Sequence, residues 1–486
     1  MPVSRIFLTR MTIILPPCLA FLAFYTAFPP SDVPLLEPDS ASYVDFSPAR
    51  SAGYPAFLAF CRVLGLSLEQ VPGVHGVLYA VSTLILLNEI LKVTRSAVFT
   101  LGFAFLALAN PFFNQFHFQI LTESIFFSTT NLFIACMLAF LRTRTALCLA
   151  IMSACVGLAL AVRPVGWAFV PLIPMIVMVV RRDVARHRSR FAISAVLPIL
   201  LVVLGSHGYY KIYHPDRFDT LAPLIFFAKA GMVAVSDGEA LAGAESPGTR
   251  RTLLLVLEKD LAPVRAFVAG APSFKTSCLL LSYYEVFAQY QFATEARNHL
   301  ARETGRSDAL LSLAFTRLAA GWKDYLRLTL HHYACLWEIS YSTTQQVLLE
   351  YLARNSPYPF EGRIKLIPDR FLDRPIHQTI SAALVGVGIA TGLLALLGLG
   401  VVARGDTGKG AEDLMTIVTT AVLLSLLIHG SFLLIAMTGV GGVPRYTLSM
   451  WVPMVGACGL GLFSLSRRFA PGLHGIVFRD TDRNQS

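Results

Sequence analysis

MTIILPPCLAFLAFYTAF (Met11–Phe28) has no charged residue, and after a short polar gap it leads into LEPDSASYVDFSPARSAGYPAFL (Leu36–Leu58), which carries Asp39, Asp45 and Arg50. An uncharged apolar run of about 18 residues is long enough to cross a bilayer. The fold follows from whether that pattern, an apolar span and then a polar turn with fixed charges, repeats along the chain.

It does. The 486 residues are 55% hydrophobic and 14% charged, and the mean hydropathy is +0.60. Soluble domains carry about 25% charged residues, so the composition defines an integral membrane protein. The formal net charge of +10 would favour nucleic acid on a soluble chain. Here the arginines fall between apolar runs, where they set orientation, and no nucleic-acid partner is expected. Arg5 and Arg10 before the first run imitate a secretory signal. The run exceeds a signal h-region and no A-x-A site follows it, so it is expected to stay as a first span.

The sequence predicts an all-α polytopic protein of about ten transmembrane helices, near 11–28, 73–91, 96–112, 121–141, 146–162, 165–180, 191–210, 379–403, 415–437 and 446–465. Alternate loops hold Lys92 and Arg95, Arg142 and Arg144, the cluster Arg181 to Arg190, Arg404 and Lys409, and Arg467, Arg468 and Arg479. By the positive-inside rule these loops and both termini are cytoplasmic. The opposite face receives the first outer loop, 29–72, and the segment 211–378. The chain thus divides into an N-terminal membrane module (1–210), an extracytoplasmic, mostly helical segment (211–378) and C-terminal membrane helices (379–486). Within the middle segment, Lys323–Tyr341 is amphipathic and aromatic and is expected in the interface, with an additional span as the alternative.

Cys18, Cys136, Cys148, Cys155 and Cys458 lie in apolar runs and read as small hydrophobes. Cys278 and Cys335 lie in the middle segment, and sequence alone does not set their pairing. His331 and His332 face different directions on a helix, which argues against a shared metal. No Walker loop or HExxH occurs. Gly386, Gly388 and Gly392, and Gly456, Gly459 and Gly461, read as helix-packing positions.

Ionisable groups near spans are expensive to place. Asp39, Asp45, Arg50, Glu123, Arg163 and Arg445 all fall to the outer face in this topology. Each also has a plain structural reading. Asp39 can cap a helix starting near Ser40. Arg50 can reach lipid headgroups. Glu123 suits a first helical turn, Arg163 a helix C-terminus, and Arg445 with Tyr446 an interfacial anchor.

Taken in order, PDSASYVDF, then R-x-x-G-Y-P-x-F-L, then N-P followed ten residues later by T-E-S, then RPVGW and a late P-R-Y, the chain resembles the bacterial GT-C membrane glycosyltransferases, in particular the protein O-mannosyltransferase and lipid A aminoarabinose-transferase-like families. The resemblance covers about 1–210 and the last three spans. It implies a bacterial inner-membrane enzyme that transfers a sugar from a polyprenyl-phosphate donor, with inversion, to a lipid, glycan or protein acceptor on the extracytoplasmic face. It implies that Asp39 is the catalytic base, where the mannosyltransferases carry Asp-Glu and this chain has Asp39-Ser40. Arg163, Arg445 and then Arg50 would hold the donor phosphate, because a guanidinium grips phosphate in a bidentate way. Tyr54 and Tyr446 join them as candidate substrate contacts, and Glu123 would orient an arginine or the acceptor. No cofactor is required, although Asp39 with Glu123 could hold a divalent metal. A flippase of a lipid-linked saccharide, a glycan polymerase or ligase, and a non-catalytic scaffold are the competing readings.

Overall fold

A computed structural model describes residues 2–29, 34–36, 39–181, 185–215, 222–235, parts of 265–281, residue 293, 309–337, 375–404, 412–439 and 444–469. The Gly/Glu/Asp-rich stretch 236–251 and the end of the 323–341 piece lie outside the described residues. Among the described residues there is no strand, only a parallel bridge between Leu35 and Gln119.

The helices are α1 (Pro2–Ala27), α2 (Ser40–Val44), α3 (Gly53–Val63), α4 (Val71–Thr94), α5 (Ala97–Leu108), α6 (Pro111–Asn114), α7 (Glu123–Thr143), α8 (Ala146–Val162), α9 (Leu172–Val179), α10 (Arg188–Tyr213), α11 (Ala222–Gly231), α12 (Ala309–Ala320), α13 (Trp322–Cys335), α14 (Pro375–Arg404), α15 (Glu412–Thr438), α16 (Pro444–Leu448) and α17 (Trp451–Phe469). Every apolar run read as a span is helical over most of its length. Among the described residues, five stretches are long and apolar enough to cross a membrane: Phe7–Ala27, Leu68–Thr94, Glu123–Thr143, Arg188–Tyr213 and Asp413–Thr438. Shorter apolar helices include Ala97–Leu108, Ala146–Val162, Pro164–Val179 and Ala382–Gly398. The run at 165–180 opens as a 3₁₀ turn, Pro164–Phe169, before α9. Pro164 supplies no N–H and cannot continue α8. The last run divides at Ser449 and Met450 into α16 and α17.

The chain forms two compact units. The first comprises Met1–Asp219, Ile389–Ser431 and Leu448–Ser486; the second comprises Thr220–Gly388 and Phe432–Thr447.

In the first unit α7 is the most enclosed element, packed on α4 and α8. Several of its polar residues find hydrogen-bond partners within that burial. Ser128, Thr129 and Thr130 donate to carbonyls one turn back, and Asn131 donates to Thr83 Oγ1 on α4 at 2.9 Å. A buried amide without a partner costs several kcal/mol in an apolar medium, so Asn131 fixes the register of α7 against α4. Both helices end on an arginine in the left-handed conformation, Arg95 (φ 54°) and Arg144 (φ 56°). A side-chain Cβ is penalised there, but the αL residue returns its N–H to a helix carbonyl and closes the helix. Gly456 on α17 would drive a Cβ to 2.7 Å from Leu424, which is the close packing expected of that glycine.

In the second unit α11, α12 and α13 enclose a core of Leu224, Phe227, Val233, Leu310, Leu313 and Ala314. Lys229 is fully buried and donates to the Ala436 carbonyl at 2.7 Å. Cys278 and Cys335 form a disulfide with a Cα–Cα distance of 5.3 Å, so the pairing that sequence left open is made. The 14-residue α13 is not among the helices long enough to span. It exposes Trp322, Leu326 and Leu330 along one stripe.

Candidate active site: two ion pairs around Tyr43

The loop after α1 is pinned before it reaches the site. Leu35 N–H donates to Phe118 at 2.9 Å, and Ile120 N–H donates to Leu35 at 3.2 Å. Downstream, Phe46 adopts φ 46°, a conformation that a bulky residue holds only when its surroundings demand it. The end of α10 supplies that demand. His214 Nε2 lies 2.8 Å from the Phe46 carbonyl, Tyr210 donates to the Pro48 carbonyl at 2.8 Å, and the Phe46 ring stacks on Tyr209. The chain therefore reverses between α2 and α3, and residues on either side of the turn meet.

Asp39 and Arg50 are those residues. Asp39 makes no capping bond to α2 with its side chain. Its carboxylate meets Arg50 NH2 at 2.5 Å, which replaces the capping reading. Arg50 also donates to Ser42 Oγ at 2.7 Å and to the Tyr43 hydroxyl at 3.4 Å. Its guanidinium lies 4.6 Å from the Tyr43 ring centroid. Three neighbours thus fix one planar group, and both members of the pair keep some solvent access, 15% for Arg50 and 21% for Asp39. Asp45 is exposed at the end of α2 and takes no part in the pair.

The second pair is Glu123 and Arg163, at 3.2 Å. Glu123 stands in the first turn of α7 and is 2% exposed; Arg163 ends α8 and is 8% exposed. Thr122 Oγ1 lies 3.3 Å from Glu123 Oε2, and the Arg163 guanidinium faces Phe126 at 5.7 Å. Arg163 has extended backbone and hands the chain to Pro164, so its side chain leaves the helix axis.

Two glycines allow this assembly. A Cβ on Gly53 would lie 2.6 Å from the Ala161 carbonyl carbon and oxygen, and one on Gly166 would lie 2.5 Å from the Ala159 carbonyl carbon. Ser51 donates to the Val162 carbonyl at 3.0 Å. The start of α3 and the turn after α8 thus both lie backbone to backbone against the last turn of α8.

Tyr43 touches Arg50 and lies in the field of both pairs. Burial raises its phenol above the ordinary value; Arg50 and Arg163 oppose that rise, and Glu123 and Asp39 add to it. All four charged groups act on one buried hydroxyl, which stays protonated and able to donate. Tyr54 is fully buried behind it, with ring centroids 5.4 Å apart in an edge-to-face contact, and its own phenol is raised far above the ordinary value, mainly by burial. Tyr54 O–H reaches His75 Nε2 at 3.4 Å.

Asp39, Arg50, Tyr54, Glu123 and Arg163 therefore belong to one constellation in the first unit. Arg445 and Tyr446 lie on α16 in the second unit. Sequence reading passed over Ser42, Tyr43, His75 and His117. Tyr43 stood inside the quoted PDSASYVDF stretch, and the signal was its place one residue beyond Ser42 on the short helix between Asp39 and Arg50. His75 and His117 sit in apolar surroundings and carry no local signal.

No protein-family model matches the chain, and no curated protein matches it. Among solved structures it is similar to the crystal structure of ArnT from Cupriavidus metallidurans bound to undecaprenyl phosphate. The identity is 14%, the match covers 96% of this chain and 80% of that one, and the TM-score is 0.31. At that TM-score no residue of one chain stands for a residue of the other.

Proposed function

We propose that this protein is a GT-C-type membrane glycosyltransferase. It moves a sugar from a polyprenyl-phosphate carrier to a lipid, glycan or protein hydroxyl, on the extracytoplasmic side of a bacterial inner membrane, with both chain termini in the cytoplasm. The observation that carries this reading is that two carboxylate–guanidinium pairs act on Tyr43, one beside it on the first outer loop and one joining the ends of the apolar helices α7 and α8.

The chemistry needs a base for the acceptor hydroxyl and a cation for the departing phosphate. Asp39 is the base in this reading, because it is the more exposed of the two paired carboxylates. An acceptor proton leaves to Asp39 while the acceptor oxygen attacks the anomeric carbon opposite the phosphate, and the configuration inverts. Arg50, beside Asp39, meets the developing phosphate charge, and the Tyr43 hydroxyl is a neutral donor next to it. Glu123 and Arg163, more deeply buried, hold the first turn of α7 against the end of α8 and set the field around Tyr43. Each carboxylate is already matched by a guanidinium, so the mechanism calls on no divalent metal.

The test uses purified full-length protein in lipid, offered polyprenyl-phosphate sugars. Asp39→Asn is expected to lose transfer while inserting and folding normally. Transfer at the wild-type rate by that variant would remove Asp39 as the base. Lipid and glycan profiles of a deletion strain identify the sugar through the polyprenyl-phosphate species that accumulates; an unchanged profile counts against the reading.

A further inference from the structure

We propose that His75 is the positioning residue that couples the Asp39–Arg50 pair to the Glu123–Arg163 pair, through a buried hydrogen-bonded chain running from Tyr54 to Ser124. The proposal rests on the function proposed above.

His75 lies on α4, buried completely, and belongs to neither pair. Its Nδ1 is 3.2 Å from the His117 carbonyl. A carbonyl only accepts, so Nδ1 carries the proton. The neutral ring then offers a lone pair at Nε2, and the Tyr54 hydroxyl 3.4 Å away donates to it. That bond directs the Tyr54 ring, whose contact orients Tyr43, and Tyr43 in turn holds Arg50 through its hydroxyl and its ring face. On the other side, His117 Nδ1 is 2.7 Å from Ser124 Oγ. Ser124 follows Glu123 in the first turn of α7.

Tyr54, His75, His117 and Ser124 are all fully buried. The rings of Phe21, Tyr25, Tyr79, Phe113 and Phe127 surround His117. Water is a poor substitute for any lost bond in such surroundings, so each link restricts the next. Two ion pairs on different elements need a common reference if they are to keep a fixed geometry, and His75 is the side chain whose two nitrogens face both branches.

The experiment compares His75→Phe, His75→Gln and Tyr54→Phe in the full-length protein in lipid. Glutamine can donate to the carbonyl and accept from the phenol; phenylalanine can do neither. Loss of a buried hydrogen bond should lower kcat of His75→Phe by about tenfold while leaving KM for the donor within about twofold. His75→Gln should recover most of that loss, and Tyr54→Phe should resemble His75→Phe. Side-chain NMR of labelled arginines gives a readout without turnover. Arg50 and Arg163 signals should both move in His75→Phe and stay near wild type in His75→Gln. The proposal is overturned by wild-type kcat in His75→Phe, by equal damage in His75→Gln, or by movement of only one arginine signal. If the wild-type protein transfers no sugar, the proposed function fails, and the arginine signals still decide whether His75 couples the pairs.

Discussion

Arg50 meets Asp39 at 2.5 Å across a turn that Phe46 closes at φ 46°. The pair exists because α2 and α3 are folded back on each other, and it places a cation and a carboxylate side by side at partial exposure. Arg50→Lys keeps the charge but cannot reproduce contacts to Asp39, Ser42 and the Tyr43 ring together. The expected result is a loss of transfer of at least about tenfold with little change in thermal stability, since a partly exposed pair contributes only about 0–1 kcal/mol. Parallel kinetics and melting curves check both parts.

The Glu123–Arg163 pair should behave differently. Removing one partner of a buried pair leaves an uncompensated charge and costs about 3–5 kcal/mol. Arg163→Met alone is therefore expected to destabilise strongly. The double variant Glu123→Leu with Arg163→Met should recover stability without recovering activity. Denaturation of the two single variants and the double variant, compared as a cycle, measures this directly; recovery of activity in the double variant would show that the charges serve packing alone.

Gly53→Ala tests the backbone contact with α8. Its Cβ would enter to 2.6 Å from Ala161, and the neighbour is backbone, which cannot swing aside. Overpacking of this kind costs about 1–3 kcal/mol. Transfer should fall with stability, whereas Gly73→Ala, on α4 where a Cβ meets nothing within 4 Å, should leave both near wild type.

In the second unit, the disulfide between Cys278 and Cys335 closes a separation of 57 residues. Its removal by Cys278→Ser with Cys335→Ser should cost about 2–4 kcal/mol. Thiol labelling with and without reductant should show two additional thiols in the reduced wild-type chain and none in the double variant.

The same unit should be sensitive to acid. Burial, with a smaller effect of Lys229, lowers the His331 pKa below its ordinary value of 6.5. As pH falls through that value the unfolded chain takes up a proton that folded His331 resists. The folded state then loses stability toward acid and shows no such loss at higher pH. His331→Gln, which can keep a bond to Ser277, now 2.9 Å from Nε2, should flatten the acid side of a melting-temperature profile.

Particular residues show how far the sequence reached. Apolar runs between arginine-bearing loops predicted the helices, because length and hydropathy are local properties that a bilayer constrains. Asp39, Arg50, Glu123 and Arg163 stood out for a related reason, since charge beside an apolar span is costly and invites explanation. Their pairing was not legible. Asp39 looked like a helix cap, and the alternative depended on a positive-φ turn at Phe46 and on α10 contacts from more than 160 residues away. His75 was silent, because one histidine in an apolar helix has no local signature.

The sequence by itself thus determined an all-helical membrane architecture and the small set of charges that it has to accommodate. The tertiary structure decided which carboxylate meets which guanidinium, that both pairs act on Tyr43, and that Cys278 joins Cys335. Periodicity and hydropathy are written along the chain. Ion pairs and disulfides depend on where distant segments cross, and those crossings are fixed by glycine contacts, buried hydrogen bonds and turns that no local stretch specifies.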